Sequence, residues 1–167
     1  MAKTLQISAG RVRELFNYEP ETGFLTWKSQ SVGRGRCHMA GDRAGCAAGN
    51  RRQVCVDGTT IKEHRVIWAW LHGKWPDGDV DHINGDATDN RSANLRDVPR
   101  SVNLQNQRKQ RAGCATGLLG VYKNHRSFTA AIYVDGRSLN LGNYATADAA
   151  HGAYIQAKRL LHPGCTI

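Results

Sequence analysis

The sequence predicts an α+β fold in two compact modules, and three features of the 167-residue chain lead there. A chain of this length is long for one small domain and short for two large ones. Toward the C-terminus, three short apolar-alternating runs, a tight Asp-Gly turn and one helix-periodic run give the pattern of a small antiparallel sheet backed by a helix. Upstream, helices and hairpins alternate around one long polar stretch, VDHINGDATDNRSANLRDVPRSVNLQN, at residues 80–106.

The N-terminal elements read as a support region. Ser8 is placed to cap a short helix whose apolar face is Val12, Leu15 and Phe16, and a turn at residues 20–23 leads into a strand at 24–27. Residues 28–41 are rich in Gly, Ser and Arg and form a basic loop, one that meets DNA or is simply solvated. Val54, Val56 and Ile61 around Asp57-Gly58 predict a hairpin with a tight turn. EHRVIWAWL at 63–71 predicts a helix that turns Val66, Ile67, Trp70 and Leu71 to the core, its tryptophans read as packing. His64 and Arg65 at its start are phosphate-contact candidates or an exposed helix start.

The polar stretch carries the chemistry. Hydrolysing a phosphodiester needs a base for the attacking water and a cation for charge on the phosphate and leaving oxygen. Asp81 and His82 are neighbours, which on a regular strand face opposite ways; the Gly, Asp and Asn content of residues 84–90 marks a loop, which lifts that restriction. An imidazole with a pKa of about 6.5 is mostly neutral at pH 7 and accepts a proton. Asp81 is a hard oxygen ligand of the kind Mg2+ takes, and Asn103 adds a carbonyl oxygen from a helix that Pro99 and Ser101 begin. Taken singly, each is also an ordinary turn or surface residue. An EF-hand is excluded, since Asp79, Asp81 and Ile83 do not supply three alternating ligands and Gly85 falls one place late. The five cysteines, Cys37, Cys46, Cys55, Cys114 and Cys165, are odd in number and at least nine positions apart, so free thiols are expected rather than a structural zinc.

Asn94 follows His82 by twelve positions and Asn103 follows Asn94 by nine, in DHINGD and NLR contexts. That pattern resembles the HNH endonucleases, in particular the phage and intron-encoded homing-type branch with Asp for the first metal-binding His and Asn for the last. The resemblance implies a ββα-metal (His-Me finger) core at 80–110, with strands at 80–83 and 95–98 and a helix over 100–110. It makes His82 the general base and Asp81 with Asn103 the ligands of one divalent ion, Mg2+ or Mn2+. Asn94 becomes the middle Asn, which holds the base-carrying loop through backbone hydrogen bonds. Arg65, Arg91, Arg96 and Arg100 are candidate DNA contacts around it.

In the last segment, strands are expected at 120–123, 128–134 and 138–142, with Asp135-Gly136 as the turn. Ile132, Val134, Leu139 and Leu141 share one face, and Thr129, Ala131, Tyr133, Ser138 and Asn140 the other. Thr146 caps a helix over 147–161 that lays Ala149, Ala150, Ala153, Ala157 and Leu160 on the apolar face. Gly120-Val121, FTAAIYVDGRSLNLGNY and ATADAAHGAY resemble the AP2/ERF DNA-binding domain. That resemblance implies a sheet face entering the major groove, with Tyr122, Asn124, Ala131, Tyr133, Ser138 and Asn140 toward the bases and Lys123, Arg126 and Arg137 on phosphates. The plant domains carry several arginines and a tryptophan on that face; without them the module positions more than it specifies.

The resulting expectation is an HNH nuclease domain at 1–111, a linker at 112–117 and an AP2-like domain at 118–167. The formal charge of +9 and pI near 9.7 fit a polyanionic partner, double-stranded DNA. No membrane segment is expected, because the longest fully apolar run is 66–71 and no signal core precedes it, which leads to a cytoplasmic protein of a bacterium or phage-infected cell. The expected activity is metal-dependent DNA hydrolysis by a monomer or homodimer, with nicking as the default for one centre per chain. Two alternatives are a DNA-binding regulatory protein with a silent nuclease centre and a packaging component that binds through charge alone.

Overall fold

The computed structural model describes residues 7–33, 36–108, 110 and 115–167, with all of their side chains except those of 32, 33, 36 and 37. It divides into two compact units, Met1–Val98 and Pro99–Ile167. The division falls earlier than the Gly-rich junction at 112–117, of which residues 112–114 lie outside the described residues.

The first unit opens with α1, Ala9–Leu15, capped as expected by Ser8, whose Oγ accepts from Arg11 N at 3.1 Å. Phe16 leaves the helix and begins β1, Phe16–Glu19, which pairs antiparallel with β2, Phe24–Trp27. β3, Ser31–Gly33, and β4, Arg36–His38, form a second ladder inside the basic stretch, where a loop was expected. β5, Cys46–Ala48, β6, Arg51–Val56, and β7, Thr59–Lys62, make a three-stranded sheet. Its Asp57-Gly58 turn has φ of 44° and 79°, the left-handed pair that a two-residue hairpin turn requires.

Helix α2, Glu63–His72, lays Val66, Ile67 and Ala69 into a core shared with Val12, Phe16, Leu25, Val54 and Val56. Trp70 packs at its edge with Nε1 donating to Phe16 O at 2.9 Å, so this indole is a structural strut. The helix ends at Gly73 in the left-handed region, and Arg13 donates to the final carbonyls of Trp70 and Leu71. β8, Asp79–His82, and β9, Leu95–Val98, then pair antiparallel, with Asp81 opposite Arg96 and His82 opposite Leu95.

The second unit begins with α3, Arg100–Gln105, shorter than the helix expected over 100–110. It belongs here because the chain's end returns to it: Gly164 N donates to Gln105 Oε1 at 3.0 Å and Arg108 Nη2 to Thr166 O at 3.1 Å. β10, Val121–Asn124, β11, Ser127–Val134, and β12, Arg137–Tyr144, form one antiparallel sheet in that order, backed by α4, Ala147–Leu161, with Thr146 as its cap.

Two details of the sheet and helix differ from expectation. A β-bulge sits between Ala130 and Ala131, so Gly142 pairs with Ala130 but Asn140 with Ala131. Leu139 pairs with the buried Ile132 yet is exposed, on a face expected to be buried. On α4 the buried stripe is Ala150, Tyr154 and Lys158, flanked by Ala153, Ile155 and Ala157; Ala149 and Leu160 face outward. Successive residues on that stripe are four apart, and Leu160 is roughly 120° away from Tyr154 around a helix of 3.6 residues per turn.

Candidate active site

His82 is the last residue of β8, and the chain then leaves the ladder through a long loop before the 3₁₀ turn Ser92–Asn94. Asp81 and His82 are both buried. They point different ways within the unit, each to its own partner. Asp81 Oδ2 accepts from Arg96 Nε at 2.9 Å and Nη2 at 2.8 Å, across the strand pair. His82 Nε2 lies 2.9 Å from Asn90 Oδ1.

The loop is held from inside. Asn94 Oδ1 accepts from Asn84 N at 2.8 Å, and its Nδ2 donates to Asp89 O at 2.7 Å, so one buried amide closes the loop on both flanks. Ile83 N donates to Asn94 O at 2.9 Å and extends the pairing past β8. Asp86 and Asn84 cap turns with their own side chains. Arg91 forks onto both oxygens of Asp89 and holds that carboxyl down to about 2.

Behind His82 stands a polar layer that the sequence reading did not single out. Asn90 Nδ2 donates to Glu63 Oε2 at 2.9 Å, and Arg52 Nε lies 3.4 Å from the same oxygen. Tyr18 OH donates to Asn90 O at 3.0 Å. The β1–β2 turn presses on this place: a Cβ on Gly23 would meet Asn90 C and Arg91 N at 2.6 Å, and its φ is 73°. His64 presents its ring edge-on to that of His82 with centroids 5.1 Å apart, and Arg51 Nη1 approaches His64 Nε2 at 3.5 Å. Asn90 looked like one more turn residue and Glu63 like a helix N-terminus; only their pairing across 27 positions reveals the layer, and no local sequence signal carries that.

Burial sets the electrostatics. It pushes His64 down to about 3, helped by the charges of His82 and Arg51, so that ring is neutral. The same desolvation lowers His82, opposed by its hydrogen bond to Asn90 and by the Asp81 charge. Burial raises Glu63, against the pull of Arg52. The result is a neutral imidazole held beside a carboxylate, the state in which a base can take a proton.

Residues 62–105 match the family model for HNH endonuclease. No curated protein and no solved structure matches the chain. The HNH segment covers α2, the β8–β9 hairpin and α3, and it supports a nuclease, acting on DNA as that family does. HNH nucleases generally depend on a divalent metal. Among the described residues no group of three or more His, Cys, Asp or Glu is arranged to hold a metal ion, and Cys46, Cys55 and Cys165 are free thiols. A single carboxylate is still a fit for Mg2+, which keeps most of its water and binds through one or two carboxylates plus substrate phosphates. Asp81 is the HNH segment's buried carboxylate next to His82; Asn103, its expected companion, lies on α3 in the other unit.

The remaining candidates fall as follows. Arg96 is engaged with Asp81, and Arg65 Nη1 donates to Gly78 O at 3.0 Å, so both support the hairpin. Arg91 is exposed on the loop, and Arg100 is exposed at the first turn of α3. In the second unit Tyr122, Asn124, Tyr133 and Asn140 lie exposed on one face of the sheet. Lys123, Arg126 and Arg137 are exposed at strand ends and turns. The bulge adds Asn143 to this face, where its Oδ1 accepts from Thr129 Oγ1 at 2.6 Å. No helix among the described residues is long and apolar enough to cross a membrane.

Proposed function

We propose that the protein is a metal-dependent DNA endonuclease of the homing type that nicks duplex DNA with His82 as the general base. The observation that supports this best is the buried, neutral His82 at the end of β8, inside the HNH-matched segment and on a loop closed by Asn94. His82 takes the proton of the attacking water. Asn94 keeps the loop from drifting, and the Asn90 layer keeps the imidazole from rotating. Asp81 is the residue to hold Mg2+ or Mn2+, with Asn103 as the companion assigned by its spacing. When bound, the cation stabilises negative charge on the phosphate and the departing oxygen. Product ends are a 5′ phosphate and a 3′ hydroxyl. The exposed face of the second unit, read as AP2-like, carries Tyr122, Asn124, Tyr133 and Asn140 to the groove and Lys123, Arg126 and Arg137 to the phosphates. A formal charge of +9 favours the approach to DNA as such.

One observation favours the second reading, a DNA-binding regulatory protein with a silent centre: the Arg96 guanidinium bonds twice to one oxygen of Asp81, the carboxylate proposed to hold the cation. The test is supercoiled plasmid incubated with Mg2+, Mn2+ or EDTA, beside His82→Ala. Metal-dependent open circle from the wild type alone is the expected result. Retention of supercoiled plasmid by protein that still shifts DNA in a gel would give the field to the regulatory reading.

A further inference from the structure

We propose that Arg51 is a further catalytic residue of the nuclease centre, the guanidinium that grips the scissile phosphate beside His82. The inference rests on the endonuclease reading and deepens it. Two arginines that the sequence offered for phosphate near the base are committed elsewhere: Arg65 donates to Gly78 O at 3.0 Å, and Arg96 bonds twice to Asp81 Oδ2. Arg51 lay outside every motif. It opens β6, and the register that pairs Gln53 with Lys62 brings Arg51 level with His64, where β7 passes into α2.

Neighbours on a strand face opposite ways, and these two arginines have opposite surroundings. Arg52 stands 3.4 Å from Glu63 Oε2 and donates to Ala44 O and Gly45 O. Arg51 turns instead to His64, its Nη1 lying 3.5 Å from His64 Nε2. None of the ion pairs among the described residues includes Arg51. The His64 ring is neutral, so it orients the guanidinium at one nitrogen without cancelling its charge. The other donors of the fork, on Nε and Nη2, remain for an incoming acceptor.

Arg51 is one ring away from the base, since His64 meets His82 edge-on with centroids 5.1 Å apart. Its charge is felt there: burial lowers His82 most, and Arg51 acts in the same direction. Without a task, a half-buried guanidinium at this place is a net cost. It gives up water and stands with Lys62 and Arg65 as a third cation acting on His64. A phosphate offsets both terms. The planar fork matches two phosphate oxygens, and a cation fixed where negative charge grows favours the transition state over the ground state.

The closing experiment measures binding of the full chain to a short duplex in EDTA over a series of salt concentrations, with plasmid nicking in Mg2+ as a second readout. Arg51→Met keeps the apolar stem and removes the charge. Its log-log salt slope should be shallower by about 0.9, the share of one phosphate contact. Its kcat for nicking should fall on the order of 10²-fold. An unchanged slope, or unchanged kcat, in a folded Arg51→Met protein would overturn the proposal. Arg51→Lys keeps the charge but not the fork, so the slope should stay while kcat falls about tenfold. Should Arg51→Met not fold, Arg51→Lys decides, and full activity with lysine would overturn the forked contact. Should the wild type nick nothing, the endonuclease reading falls; a slope that still drops in Arg51→Met would keep Arg51 as a phosphate contact, and one that does not would remove it.

Discussion

The β8–β9 loop and the open face of the second unit's sheet are both rich in asparagine, and they use it in opposite ways. In the loop, Asn90 and Asn94 are buried, and each amide both donates and accepts within the protein. On the sheet, Asn124, Asn140 and Asn143 are exposed. Their amides bond to near neighbours such as Gly142 N or Thr129 Oγ1, contacts that water or a partner can replace at little cost. A buried amide that lost its partner would cost about 1–3 kcal/mol, so the loop has one arrangement available. A rigid interior of this kind suits the placement of a base. An exposed face suits the reading or gripping of a partner.

The comparison breaks most sharply at His82. His82→Ala should lower nicking on the order of 10³-fold, as removal of a general base does, while DNA affinity stays near that of the wild type. A parallel loss of affinity would move His82 to the contact class. The same residue sets the pH profile. Burial lowers His82 below its ordinary 6.5, so the neutral form persists to lower pH than for a free imidazole. Activity as kcat/KM should therefore be level at neutral pH and fall only as pH drops through a midpoint below 6.5. A midpoint at or above that value would contradict a buried base.

Asn94→Ala tests whether the loop's closure matters to the base it carries. The change leaves Asn84 N and Asp89 O without their side-chain partner. Misplacement by about 1 Å costs on the order of 10²-fold, so kcat should fall by that much with KM little changed. Full activity in a folded variant would show that the loop is held elsewhere. On the other region, Tyr133, 66% exposed, is the more exposed of the two tyrosines on the sheet face. Tyr133→Ala should weaken duplex binding by about tenfold, or about 1.4 kcal/mol, yet leave kcat at saturating DNA unchanged. Unaltered affinity would remove the functional content of that face.

How much of this was legible in the sequence depended on the range of the interaction. Ser8, Thr146 and the Asp57-Gly58 turn act within a few residues, and the chain alone showed them. The spacing of Asp81, His82, Asn94 and Asn103 was equally plain. Tertiary pairing was not. The Glu63–Asn90 bond and the Arg96–Asp81 pair depend on which strands and helices meet, and nothing local assigned Arg96 to Asp81. The bulge at Ala130/Ala131 was hidden for the same reason: an extra residue in one strand is set by its partner strand. Helix α3 stops at Gln105 while the expected run reached 110, because the C-terminal residues supply contacts to Gln105, Asn106 and Arg108 that replace further helical turns.

The smallest effect belongs to Leu160, and it sharpens the contrast between a face that packs and a face that is free. Counting apolar residues on α4 put Leu160 against the sheet, yet it is 84% exposed while Tyr154, six residues earlier, is buried. Period 3.6 explains the difference, since the stripe centred on Ala150, Tyr154 and Lys158 has turned away by position 160. Lys158 occupies the last place on that stripe, its Nζ donating to Gln107 O and its charge disfavoured by burial. The helix thus spends a buried position on a cation and leaves a leucine in water. Leu160→Ser should change stability by no more than about 0.5 kcal/mol in a denaturant melt, as expected for a surface position without partners in the core. A loss of about 2 kcal/mol or more would mean that Leu160 is covered in the folded protein, and the stripe on α4 would have to be drawn afresh.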